Sequence, residues 1–339
     1  MLDKIGPGIF RYFLCMVVVL FHCTDLIAIG EWAVHVFFIL SGYWVIKMYK
    51  EKYMDFKHPL TSFWASRLLR LLPVFYVTTI LLIVANCVVQ HISPIQYINE
   101  FKPGIGFLFS HVFILGLTKT GQLNPPSWSL DIEMQFYLLV PVFVWLLLKF
   151  KQRVMAVLTV LFIVFSIFYL FHHQYYIFPP VGNYLCFFLV GVWLYQSNYH
   201  ANKTAMNITV GIGVLLVVLT YAIPVLLEKV VLTNTLTVYG ILFRVIFDYV
   251  LALLMIPFIS RNVRNKSSRW DKDFANLSYV TYLFHRVTMV PWAHYYRHLS
   301  LWDRMPSFIV YLIVTFVGSL IIYYLIDIPF ERLRKNVVA

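Results

Sequence analysis

Ten stretches of mostly apolar residues constrain the fold of this chain more strongly than any other feature of its sequence. A helix needs about 20 such residues to cross the hydrocarbon core of a bilayer. Because backbone groups inside a bilayer must find hydrogen-bond partners within their own segment, each stretch is predicted to be a helix. The predicted spans are residues 8–28, 31–48, 68–90, 131–149, 154–171, 181–196, 206–227, 235–259, 275–293 and 306–326. The sequence therefore predicts an all-α integral membrane protein with about ten transmembrane helices.

The composition excludes the common soluble classes. Of the 339 residues, 61% are hydrophobic and only 12% are charged, whereas a soluble domain has about 45–50% apolar and about 25% charged residues. This difference argues against a soluble enzyme, a nucleic-acid-binding domain and a disordered chain, so no nucleic-acid partner is expected. The net charge of +12 is instead typical of cytoplasmic loops that are rich in Lys and Arg.

The distribution of basic residues predicts the orientation. With the amino terminus inside, 20 of the 27 Lys and Arg residues fall in cytoplasmic segments, five fall outside, and Arg244 and Arg286 lie within spans. Both termini are therefore predicted to be cytoplasmic, in a chain that spans the plasma (inner) membrane many times. The first span lacks a cleavage site for a signal peptide, so it is expected to be retained.

One transmembrane domain, residues 1–339, is predicted, because no repeat and no low-complexity linker interrupts the chain. Residues 105–117 are apolar but too short to span, and they are predicted to be a re-entrant or interfacial part of an outer loop. The four cysteines lie in apolar runs without a CxxC pair and are interpreted as small core residues.

Two ionisable residues of the first span, Arg11 and His22, are the first functional candidates. They are eleven residues apart, close to three helical turns, so their side chains share one face about 16 Å apart. Arg11 is then at the cytoplasmic boundary and His22 about halfway across the membrane. A histidine can take a proton near neutral pH, although a lone buried histidine also serves as a hydrogen-bonded packing residue. Asp25, one turn further, either orients this imidazole or begins the outer loop.

Arg67 and Arg70 precede the third span and lie one helical turn apart, so they face the same way. Two parallel guanidinium groups at a membrane boundary suit a phosphate or a pyrophosphate. The alternative is an anchor that follows the positive-inside rule.

The fourth span opens with a polar segment. Asp131 and Glu133 are two residues apart and point to different sides, and the deeper Glu133 precedes Gln135 and Tyr137. Glu133 is therefore predicted to line a polar cavity near the outer leaflet, and Asp131 is predicted to be interfacial.

Other polar residues within or beside the spans are given structural interpretations. Arg244 and Asp248, four residues apart in one span, are predicted to satisfy each other. His285 is interpreted as a packing residue or a site residue. The pairs His172–His173 and His294–His298 have spacings that could hold a metal, but no carboxylate or cysteine accompanies them, so no metal site is predicted.

Several motifs, in order along nearly the whole chain, resemble those of the acyltransferase 3 family of integral membrane acyltransferases. They are Arg11 with His22, Phe37-Phe38-x-x-Ser41-Gly42-Tyr43, Arg67-x-x-Arg70, Trp128-Ser129-Leu130 with Glu133 and Tyr137, Tyr282 with His285, and Asp327-Ile-Pro329-Phe-Glu331. The chain departs from the family pattern at two positions. His35 stands where an acidic residue is common, and Asp327 stands where Glu is usual. The outer hydrolase-like domain that some members carry is expected to be absent.

The resemblance implies an O-acyltransferase that takes an acyl group, most often acetyl, from cytoplasmic acyl-CoA. The acceptor would be a hydroxyl of a cell-envelope or exopolysaccharide glycan or of its lipid-linked precursor. Acyl-CoA would be a co-substrate, with no permanently bound cofactor. His22 would act as base or acyl carrier and Glu133 would activate the acceptor, while Arg11, Arg67 and Arg70 would bind the donor phosphates. Supporting positions are Ser41, Trp128, Ser129, Tyr137 and His285.

Two other function classes stay open beside this one. A transporter or flippase of a lipid-linked sugar would be expected to show an inverted repeat and matching broken helices, which the sequence lacks. A sensor or scaffold with a degenerate site fits poorly, because every candidate catalytic position is occupied. Transfer of the acyl group to nitrogen instead of oxygen is a further alternative.

Overall fold

A computed structural model describes residues 2–24, 29–150, 152–173, 181–223, 226 and 238–338. Within these ranges every regular element is helical, as the apolar spans predict. The α-helices are α1 (Pro7–Cys23), α2 (Gly30–Met48), α3 (Pro59–Gln90), α4 (Pro94–Asn99), α5 (Ile105–Phe113), α6 (Leu117–Thr120), α7 (Ser127–Lys149), α8 (Gln152–His173), α9 (Val181–Ser197), α10 (Lys203–Ala222), α11 (Val238–Leu254), α12 (Ile256–Asn262), α13 (Arg269–Tyr296), α14 (Leu301–Ile322) and α15 (Ile328–Val338). π-helical turns follow α2 at Tyr49–Tyr53 and α14 at Tyr323–Asp327.

Several of these helices are long and apolar enough to cross a membrane. Five pass on length and composition, and a sixth is added if α11 and α12, bent by 42° at their junction, form one broken span. The five are Gly30–Tyr53, Pro59–Gln90, Ser127–Lys149, Lys203–Ala222 and Trp302–Asn336. The chain is thus a helical membrane protein, while the ten-span topology and the side of each terminus stay predictions.

The helix ends follow local sequence signals. Proline stands in the first turn of α1, α3 and α4, where its missing N–H costs no hydrogen bond. The side chain of Asn202 accepts a hydrogen bond from the backbone N–H of Ala205 at 2.7 Å and so caps α10. At the other end of α1, the backbone N–H of Thr24 donates to the carbonyl of Leu20 at 2.9 Å, and Thr24 itself is extended. The helix therefore ends directly after His22 and Cys23.

The chain divides into two compact units. Unit 1 comprises Met1–Met54 and Phe136–Lys272, and unit 2 comprises Asp55–Gln135 and Asp273–Ala339.

The core of unit 1 is the contact between α2 and α9. Gly42 and Gly191 lie where the two backbones meet, and a Cβ on Gly42 would overlap the carbonyl oxygen of Phe188. A Cβ on Gly191 would in turn overlap the carbonyl oxygen of Ile39 and lie 2.6 Å from the backbone nitrogen of Tyr43. Glycine at both positions is what allows the two helices to approach so closely.

The predicted pair of Arg244 and Asp248 in α11 is wrong as a hydrogen-bonded pair. The guanidinium of Arg244 lies over the ring of Phe21, 5.1 Å from its centroid. Both carboxyl oxygens of Asp248 are buried without a hydrogen-bond partner among the described residues. The two residues share a helix face as their spacing requires, but the long Arg244 side chain extends to α1 instead of folding back onto Asp248.

In unit 2, α3 packs against α15 beside the π-helical turn Tyr323–Asp327. This turn brings Asp327, which is 4% exposed, to the side chain of Arg70 on α3. Near the end of α3, Cys87 packs in an apolar cluster with Tyr97 of α4, Phe107 of α5 and Leu123, which follows α6.

Candidate active site

Helix α1 of unit 1 carries Arg11 and His22, both partly exposed. Arg11 is in the second turn and His22 in the last turn, on one face and about 16 Å apart along the axis. The His22 ring also makes an edge contact with Phe21, with ring centroids 5.1 Å apart. The structure therefore places Arg11 and His22 on one face of a helix, as their spacing predicted. Asp25 lies outside the described residues.

The beginning of α1 is fixed by a residue distant in sequence. The carboxylate of Asp271 accepts hydrogen bonds from the backbone N–H groups of Gly8, at 3.1 Å, and Ile9, at 2.9 Å. A carboxylate is favourable at a helix amino terminus, where backbone N–H groups lack partners. The contact leaves no room for a side chain at Gly6, because a Cβ there would overlap Asp271. Asp271 therefore sets the position of the helix that carries Arg11 and His22.

The remaining predicted residues of unit 1 are buried. Ser41 is 5% exposed and precedes Gly42 at the contact of α2 with α9, and Tyr137 is 3% exposed. His35, a departure from the family pattern, stacks on Phe187 with ring centroids 4.3 Å apart.

In unit 2, Arg67 and Arg70 have different surroundings although they lie one turn apart. The Nη1 atom of Arg70 donates to both carboxyl oxygens of Asp327, at 3.1 and 3.2 Å, and its Nη2 donates to Asn276 at 2.8 Å. The Arg67 guanidinium lies over the ring of Phe63, 5.4 Å from the centroid. Arg70 is thus part of a buried ion pair. If Arg70 binds a donor phosphate, as predicted, that phosphate must share the guanidinium group with Asp327 or displace the Asp327 carboxylate.

We expect Arg70→Met alone to lower the free energy of unfolding by about 3–5 kcal/mol, because it leaves the buried Asp327 carboxylate unpaired. The double change Arg70→Met and Asp327→Leu is expected to restore most of this loss, since an apolar pair can replace a buried ion pair. Thermal denaturation of the purified protein measures both effects. Arg332→Met, which removes an exposed basic residue of α15, is the matched control.

The stable double variant also tests the donor role of Arg70. If Arg70 binds acyl-CoA, the double variant needs a higher acyl-CoA concentration for half-maximal rate. An unchanged donor KM in that variant would assign Arg70 to the fold alone.

Asp131 and Glu133, near the beginning of α7, are distinguished by their contacts. Asp131 is fully buried, and its Oδ1 accepts from the backbone N–H of Gly116 and from the Gln135 amide, both at 2.8 Å. Its Oδ2 accepts from the backbone N–H and the hydroxyl of Thr118, also at 2.8 Å. Three of these four hydrogen bonds reach Gly116 and Thr118 and make Asp131 the anchor of the α5–α6 segment. Glu133 is partly exposed, and its role toward the acceptor stays a prediction.

We expect Asp131→Asn to release the α5–α6 segment. The amide supplies one acceptor instead of two and turns its own N–H groups toward donors, and each lost bond to the carboxylate contributes about 1.5–3 kcal/mol. Faster proteolysis within residues 104–121 and a lower thermal midpoint would report this. Asp55→Asn, at an exposed carboxylate, should change neither, and equal behaviour of the two variants would contradict the anchor role.

Ser129 and His285 are linked through Tyr282. The Ser129 hydroxyl lies 2.8 Å from the Tyr282 hydroxyl, and Nδ1 of the fully buried His285 donates to the Tyr282 carbonyl at 2.7 Å. The proton is therefore on Nδ1, which makes Nε2 the basic nitrogen of the ring. Trp128 is partly exposed beside this group.

The structure adds residues to which the sequence analysis gave no role. Asp271, Asn276 and Tyr282 position α1, Arg70 and Ser129, respectively. Tyr282 lies in one of the motifs named above, whereas the only sequence signal for Asp271 and Asn276 was their polar character next to apolar runs. No group of three His, Cys, Asp or Glu side chains suited to a metal occurs among the described residues.

A known protein family matches almost the whole chain. The sequence profile described as an acyltransferase domain matches residues 5–324. The chain is also similar to the Regulator of hypoxia-inducible factor 1 of Caenorhabditis elegans, with 33% identity over 132 residues. That match covers 37% of this chain and 25% of the relative, so it spans about a quarter of the relative's length. No solved structure matches the chain.

Proposed function

Because this chain belongs to the acyltransferase 3 family of membrane acyltransferases, we propose that it is an O-acyltransferase with acyl-CoA as donor. The proposed acyl group is acetyl. The proposed acceptor is a hydroxyl of a cell-envelope glycan, of an exopolysaccharide or of its lipid-linked precursor. The observation that carries the proposal is the shared face of α1, which presents a basic residue and a histidine about 16 Å apart.

The proposed reaction uses His22 as the proton acceptor. The imidazole takes the proton of the acceptor hydroxyl while the oxygen attacks the thioester carbonyl. The carbon–sulfur bond then breaks, and the thiolate of coenzyme A takes the proton from the imidazolium. Alternatively, a ring nitrogen of His22 attacks the thioester carbonyl, and the carbon–sulfur bond breaks to release coenzyme A. The acceptor hydroxyl then attacks the acyl-imidazole, the carbon–nitrogen bond breaks, and the hydroxyl proton goes to the imidazole.

The other candidate residues bind and orient the two substrates in this proposal. Arg67 and Arg70, with Arg11 in support, bind donor phosphates, for which guanidinium groups are well suited. Glu133 orients or activates the acceptor. Ser41, Trp128, Ser129, Tyr137 and His285 support these residues from their buried or partly exposed positions.

The proposed topology has ten spans in the plasma or inner membrane and both termini in the cytoplasm. It is supported by the excess of Lys and Arg in alternate connections. Reporter fusions after residues 200 and 299 are expected to lie on opposite sides of the membrane.

The function is tested by mass spectrometry of envelope glycans from cells with and without the gene. We expect one acyl mass to be lost without the gene, and radiolabel from acetyl-CoA to enter the same glycan in membranes that contain the protein. A glycan that keeps its acyl mass but fails to reach the outer side would contradict acyl transfer and favour a flippase.

A further inference from the structure

Three basic side chains converge at the end of unit 1 where α9 is connected to α10. His200 lies in that connection, Arg261 lies near the end of α12, and Arg264 follows it. The Nη1 atom of Arg261 lies 3.2 Å from Nε2 of His200, and the Nη1 atom of Arg264 lies 3.3 Å from its Nδ1. Both guanidinium groups therefore contact the same imidazole ring, one at each nitrogen.

Neutral backbone and amide oxygens hold this arrangement. Arg264 donates to the carbonyls of Tyr199 and Ser260, both at 2.6 Å, and to the Asn198 amide oxygen at 2.7 Å. Asn198 has a φ of 51°, in the left-handed region that Asn tolerates better than most residues. Arg261 donates to the carbonyl of Ala201 at 2.9 Å. The positions of the guanidinium groups are thus fixed before any ligand arrives.

The positive charge of this cluster is not balanced. In the part of the chain that the structure describes, no carboxylate forms an ion pair with Arg261 or Arg264. A neutral imidazole has a single lone pair and can accept from only one of the two guanidinium groups. Although His200 is exposed, desolvation and the two nearby guanidinium groups lower its pKa. Basic residues that served only to set topology would extend apart into water, where repulsion is weakest.

We propose that His200, Arg261 and Arg264 form a binding site for a phosphate group. Two fixed guanidinium groups match the oxygens of a phosphate, and the anion would supply the missing negative charge. The phosphate belongs either to coenzyme A or to the headgroup of an anionic lipid, because basic pockets between membrane helices bind such headgroups. None of these three residues is among the proposed donor contacts Arg11, Arg67 and Arg70, and the coenzyme A alternative rests on the proposed function.

Binding to two probes tests the site without any turnover. Coenzyme A is titrated calorimetrically into the purified protein, and phosphatidylglycerol is scored by native mass spectrometry of nanodiscs that mix it with phosphatidylcholine. We expect Arg261→Gln with Arg264→Gln to weaken at least one interaction about tenfold or more, through the loss of charge-assisted hydrogen bonds. The matched control, Lys266→Gln with Arg269→Gln, removes equal charge from exposed positions nearby and should bind as the wild type does. Equal losses in both double variants, or no binding to either probe, would overturn the proposal.

A second variant keeps the test valid if loss of the arginines impairs folding. His200→Glu places a carboxylate between the two guanidinium groups, so we expect thermal stability to be kept or raised and phosphate binding to be lost. His200→Gln, which adds no charge, should keep most of the binding. Undiminished binding of both probes by His200→Glu would contradict the proposal. Loss of coenzyme A binding alone identifies the donor as the source of the phosphate, and loss of lipid binding alone identifies the membrane.

Discussion

The His22→Ala variant is expected to abolish acyl transfer while insertion and expression stay at wild-type level. General acid–base catalysis contributes about 10²–10⁴-fold to a rate, and loss of an acyl carrier would stop the reaction altogether. His22 is partly exposed in the last turn of α1, so alanine there removes little buried volume. Transfer of radiolabel from acetyl-CoA to the glycan fraction of membranes measures the effect.

The control for this variant is His294→Ala, which removes a histidine that is exposed near the end of α13. It should leave label transfer unchanged. Full acetylation by His22→Ala would remove His22 from the mechanism. Incubation of the wild-type protein with acetyl-CoA in the absence of acceptor separates the two proposed roles, because only an acyl carrier gains an acetyl mass on the peptide that contains His22.

The helices and the face of α1 could be predicted from the sequence because both follow from local pattern. Apolar runs set where helices lie, and the eleven-residue spacing of Arg11 and His22 sets their common face. The family was also predicted correctly, since its motifs lie in order along the chain. These inferences need no knowledge of which helices touch.

The partners of the polar residues could not be predicted, because they depend on contacts between distant segments. Arg70 meets Asp327 across 257 residues of sequence, and Asp271 reaches Gly8 across 263. Asp131, predicted to be interfacial, binds Gly116 and Thr118 in a short segment for which the sequence analysis had found no partner. For Arg244 and Asp248, nearness in sequence suggested a pair, but the guanidinium packs on Phe21.

The Gly42→Ala variant is expected to prevent the correct packing of unit 1. Overpacking a core with one extra methyl group costs about 1–3 kcal/mol when neighbouring side chains can move. Here the obstacle is the backbone of Phe188, whose carbonyl carbon and Cα would each lie 2.9 Å from the new Cβ. The helix can give way only by moving as a whole, which would separate the other contacts between α2 and α9, so the cost should exceed that range. We expect little folded protein in detergent and a much lower thermal midpoint.

Gly191→Ala should have the same effect from the other side of the contact, because its Cβ would overlap the carbonyl oxygen of Ile39 in α2. Gly211→Ala is the matched control, since nothing lies within 4 Å of a Cβ at that position of α10. It should keep or raise stability, because alanine is the better helix former by about 0.8–1.0 kcal/mol. If all three variants behaved alike, α2 and α9 would not pack backbone to backbone. The Ser41-Gly42-Tyr43 motif would then require a functional explanation instead of a structural one.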